Sequence, residues 1–73
     1  MSKEKQLRVW IEKQKKFIDQ TKDQNERDYI IMMWVGFLNG MRMTNAITFA
    51  EYGALYDEAK KYAERFDVAI MAG

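Results

Sequence analysis

The chain has no cysteine, no histidine and no proline, and only four glycines among its 73 residues. Without thiols no disulfide can staple the fold, and without thiolate or imidazole ligands structural zinc has nothing to bind, leaving only a carboxylate site for a hard cation. The commonest general base and the commonest thiol nucleophile are missing together. No Gly-rich phosphate loop, nucleophile elbow or dinucleotide fingerprint is present. The residues therefore nominate no catalytic, metal or cofactor site, and the chain is read as a non-enzyme.

The scarcity of Pro and Gly has a structural meaning as well, because these residues punctuate strands and tight turns. The expectation is an all-α protein. A transmembrane helix is not expected, since the longest apolar run, Tyr29 to Met43, falls short of the roughly 20 residues a span requires and contains Asn39 and Arg42. No apolar stretch follows the opening Met-Ser-Lys-Glu-Lys, as a secretory signal peptide would require, so a cytoplasmic location is expected.

What is present is helical periodicity. Leu7, Trp10, Ile11, Gln14, Phe17, Ile18 and Thr21 repeat at i, i+3, i+4 and i+7, predicting a helix over about 2–22, with Val9 off the stripe. Polar residues gather at Lys22-Asp23-Gln24-Asn25, where Asn25 suits an N-cap and Glu26 and Asp28 suit the positive end of a second helix over about 26–43. Thr48 with Glu51 three positions later forms a capping-box signature, flanked by Ile47 and Tyr52 as a hydrophobic staple, and Asn45 suits a left-handed residue after the second helix. A third helix over about 49–68 would bury Phe49, Tyr52, Leu55, Tyr56, Ala59, Tyr62, Ala63, Phe66 and Ile70. Short connections favour a three-helix antiparallel bundle, or a helical hairpin crossed by the N-terminal helix.

The second helix carries the most information. It is apolar around most of its circumference, whereas a helix covered on one face needs only one stripe. Two amphipathic neighbours cover part of it, and a domain this small has little surface to spare. Oligomerisation is the remaining means of stabilising so small a chain. The expectation is a protein-interaction module that self-associates, as a homodimer or with another protein, through Ile31, Met32, Val35, Gly36, Leu38, Asn39, Gly40 and Met43. Gly36 and Gly40 would admit a close neighbour, either a partner or another helix of the same chain. Met32, Met33, Met41 and Met43 are read as core filler before partner surface, and Trp10 and Trp34 fall on core stripes.

The competing reading is nucleic-acid contact. Residues 1–22 hold seven Lys/Arg against three acids, whereas residues 46–73 hold three against five. Arg8, Lys15 and Lys22 recur every seven residues with Lys16 beside them, a stripe along which a phosphate backbone could lie. Glu12 and Asp19 interrupt that stripe, and the same asymmetry would let the first and third helices attract each other. A helix-turn-helix reader is disfavoured, because the exposed side of the third helix is short of cations. Carboxylates such as Glu12, Asp19, Asp57, Glu58 and Glu64 lie among Lys and Arg and read as a salt-bridged surface.

Overall fold

The computed structural model describes residues 2–68, which form three helices: α1 (Lys3–Gln20), α2 (Gln24–Met43) and α3 (Phe49–Glu64). Among the described residues there is no strand, and no helix is long and apolar enough to cross a membrane. The all-α expectation holds, with local differences at the helix ends.

Ser2 caps α1, its hydroxyl accepting from the Lys5 amide at 3.2 Å. α1 stops at Gln20, two residues early, because Thr21 turns extended and its hydroxyl accepts from the Asp23 amide at 3.3 Å. Asp23, not Asn25, is then the N-cap of α2: its carboxylate accepts from the Asn25 amide at 2.9 Å. Asp and Asn cap equally well, so the position is decided by the preceding turn. α2 ends as expected, with Asn45 at φ 61°. The amide of Ala46 donates to the Met41 carbonyl at 2.8 Å and that of Asn45 to Arg42 at 3.1 Å, the two bonds of a Schellman ending. Thr48 and Glu51 close the capping box in both directions, at 3.0 and 2.9 Å.

α3 ends at Glu64, short of the expected 68. Asp67 sits at φ 56°, the Val68 amide donates to Ala63 at 3.0 Å and the Asp67 amide to Glu64 at 3.3 Å. This is a second Schellman ending, with an aspartate where glycine is usual and Val68 supplying the buried residue that follows it. No sequence signal marked it. Ile70 lies outside the described residues.

The core gathers Ile11 and Ile18 from α1, Ile31, Trp34 and Leu38 from α2, Ala59, Tyr62 and Ala63 from α3, and Val68. α2 packs on both neighbours. Toward α1, Trp10 stacks on Phe37 at 4.3 Å and Arg27 Nη2 donates to the Thr21 carbonyl at 2.7 Å. Toward α3, Trp34 meets Tyr62 at 6.1 Å and Gln24 Nε2 donates to the Phe66 carbonyl at 3.1 Å. Between α1 and α3, the Tyr62 hydroxyl donates to Asp19 at 2.5 Å. Phe17 and Phe49, expected on buried stripes, are exposed: Phe17 lies at the edge of its stripe, and Phe49 is the first residue of α3, where it has outrun the core. Met32, Met33 and Met43 are likewise exposed and do not fill the core.

Candidate functional site

The eight residues expected at an interface divide into two groups. Ile31 and Leu38 are buried in the single chain, and Val35 packs against the same core. Ile31 and Leu38 lie at i−3 and i+4 from Trp34, so the face that buries Trp34 turns them to the core of the single chain, and Val35, next to Trp34, packs against that core from its edge. Asn39 is half-buried and its Oδ1 accepts from Arg42 Nη2 at 2.9 Å. Met32, Gly36, Gly40 and Met43 are exposed.

The exposed four belong to a wider strip. On α2, Tyr29, Met33 and Phe37 follow one i+4 ridge, and Met32, Gly36 and Gly40 follow the next, with Met43 one turn on. Phe17, Tyr29, Met32, Met33, Phe37 and Met43 are between 43% and 74% exposed. Trp10, Phe17, Tyr29, Ile30 and Met33 also line an open groove of about 650 Å³ between α1 and α2, together with Thr21, Lys22 and Glu26. At about 200 Å² for a large side chain, the six residues together leave on the order of 700 Å² of largely apolar residue surface in water. Phe17, Tyr29, Met33 and Phe37 were missed as surface residues. The available signal was the width of the stripes on α1 and α2, too broad for one shared seam.

Among the described residues nothing lies within 4 Å of a Cβ built on Gly36 or Gly40, so neither α1 nor α3 uses the glycines for close approach. Alanine at either position should therefore stabilise the isolated chain by about 1 kcal/mol, the intrinsic cost of glycine in a helix interior. Urea unfolding at low protein concentration checks this; a loss of stability would show that a neighbour occupies the space.

The residues nominated for phosphate contact are also divided. Arg8 forms two hydrogen bonds to Glu58, from Nη1 at 2.6 Å and Nη2 at 3.0 Å, and Lys15 Nζ reaches Glu58 at 2.7 Å and Glu12 at 3.2 Å. The hydrogen bond from Arg8, joined by those from Lys15, outweighs partial burial and lowers the Glu58 carboxyl to about 2. For Lys15, burial pulls the ammonium down and its bonds to Glu58 and Glu12 more than offset it, leaving it raised. Arg8 is also raised, chiefly by Glu58. The charge asymmetry of the sequence is thus spent in part inside the molecule, tying α1 to α3. Lys16 and Lys22 are exposed and make no ion pair among the described residues. The seven-residue stripe is broken, since two of its three members face α3. Among the described residues no three carboxylates gather as they would around a cation.

Comparison with protein-family models, curated proteins and solved structures found no match to this chain.

Proposed function

We propose that this protein is a small helical interaction module, a binding protein and not an enzyme, that self-associates as a homodimer through the outer ridges of α2 and serves as an accessory, adaptor or inhibitor of a larger protein. The observation that carries this reading is the apolar strip left in water by a chain that has already buried Ile31, Trp34 and Leu38. Exposed methionines and aromatics flanking bare glycine backbone suit docking by another helix: the methionines adapt to its shape and the glycines let it approach. The contacts of Trp10 with Phe37 and of Gln24 with Phe66 support an antiparallel three-helix arrangement, in which two helices brace the inner face of α2 and leave its outer face free. A chain that needs no disulfide suits a reducing cytoplasmic setting.

The test is molar mass by light scattering over a range of concentrations. The natural chain should run as a dimer, and Met32→Glu and Gly36→Glu should each run as a folded monomer with unchanged helical circular dichroism. A natural chain that stays monomeric at the highest concentration overturns self-association.

A further inference from the structure

α2 carries its two carboxylates, Glu26 and Asp28, near its N-terminal end and a half-buried arginine, Arg42, at its C-terminal end. Arg42 lies over the Tyr52 and Phe49 rings at 5.1 and 5.9 Å, and its Nη2 donates to Asn39 Oδ1 at 2.9 Å. These contacts hold the guanidinium at the border of the exposed strip without giving it a counter-charge. Asp28 is exposed and accepts from Gln24 Nε2 at 3.2 Å. Neither Arg42 nor Asp28 is in an ion pair among the described residues. The two do not meet within one chain, because the fourteen residues between them span about 21 Å of helix. Asp28, Val35 and Arg42 are spaced by seven and so share one flank of α2, beside the strip that holds Met32, Gly36 and Gly40.

We propose, resting on self-association through the outer ridges of α2, that the second copy packs antiparallel, with the two-fold axis beside Val35 and Gly36, so that Arg42 of each copy meets Asp28 of the other. An axis perpendicular to both helices reverses height along α2 and keeps each flank on its own side. A residue seven positions before the axis therefore meets the one seven positions after it, and the contact, being isologous, is made twice. Met32 and Gly40, each four residues from Gly36, then face each other, with the methionine over bare backbone. The opposed helix dipoles add to the fit. A parallel pair is disfavoured, because it sets Arg42 level with its own copy and about four turns from either Asp28.

Because the natural chain has no cysteine, introduced cysteines report orientation without background. Met32→Cys, Gly40→Cys and an equimolar mixture of the two refolded together are oxidised and read by non-reducing electrophoresis. The mixture should give the mixed disulfide. Neither variant should crosslink alone, since antiparallel packing holds like positions about 12 Å apart along the helix, beyond the roughly 7 Å that a disulfide spans. Charge reversal gives an independent readout by light scattering. Asp28→Arg and Arg42→Asp should each raise the dimer dissociation constant about tenfold, and mixing the two variants, or combining both substitutions in one chain, should restore it. Crosslinking of either cysteine variant with itself, a mixture that does not crosslink, or a double reversal no tighter than the single ones would overturn antiparallel packing while leaving self-association standing. A natural chain that is monomeric by light scattering overturns both.

Discussion

Trp34→Ala should leave the chain with little net stability at 25 °C. Trp34 is completely buried at the centre of α2, between Ile31 and Leu38, and meets the Tyr62 ring of α3. Truncating a buried tryptophan costs about 3–5 kcal/mol through lost transfer energy and the cavity left behind. A domain of this length has a total stability near the low end of about 5–15 kcal/mol, so the loss removes most of it. Trp34→Phe should behave differently. The indole Nε1 is buried with no partner among the described residues, and leaving a donor unsatisfied costs about 1–3 kcal/mol. Phenylalanine removes that donor while keeping most of the ring, so its net cost should fall below about 1.5 kcal/mol. Urea denaturation followed by circular dichroism measures both; equal losses would mean that the indole nitrogen has a partner after all.

The second large effect is acid destabilisation through Glu58. Its carboxyl is held at about 2 against an ordinary 4.5, so the folded state favours the ionised form. A depressed carboxylate contributes stability that is fully present above pH 4.5 and disappears as pH falls toward 2. Unscreened, the displacement would be worth about 3 kcal/mol. Arg8 is half exposed and water reaches about a quarter of the Glu58 side chain, so about 1–2 kcal/mol is the expected effect. Glu58→Gln should lose that amount at neutral pH and show a flatter acid limb than the natural chain. An equally steep limb in the variant would assign the acid response to other carboxylates. At the alkaline end Tyr62, pushed up to about 12 by burial and its bond to Asp19, works in the opposite sense. The neutral phenol is the favoured form, and its contribution is lost between pH 10 and 12.

Much of the architecture was legible where a side chain bonds to nearby backbone. The Thr48–Glu51 box and left-handed Asn45 are written in four or five adjacent residues, and both are found in place. The ending of α3 was not legible, since Asp67 is a less common left-handed residue than glycine or asparagine and Val68 after it reaches back into the core. That force depends on tertiary packing, which no local pattern reports. The interface residues illustrate the same limit. A helical wheel shows that α2 is apolar nearly all round, but Ile31 and Met32 are adjacent in sequence and equally apolar. Only the positions of α1 and α3 decide that the first is buried and the second exposed. Likewise the lysine and arginine spacing of α1 is plain, whereas the use of Arg8 and Lys15 to hold Glu58, forty-three and more residues away, needs the third helix in place.

The layout of these contacts has a kinetic consequence. α1 meets α2, and α2 meets α3, across connections of three and five residues, and loops that short close at small entropic cost. The interactions that must wait for distant parts of the chain are the seam of Arg8, Lys15 and Asp19 with Glu58 and Tyr62 and the bond of Gln24 to the Phe66 carbonyl. A chain assembled mostly from sequence neighbours belongs with the rapid folders. α2, which packs on both neighbours, is the element its two hairpins share, and the ion cluster joins the outer two helices.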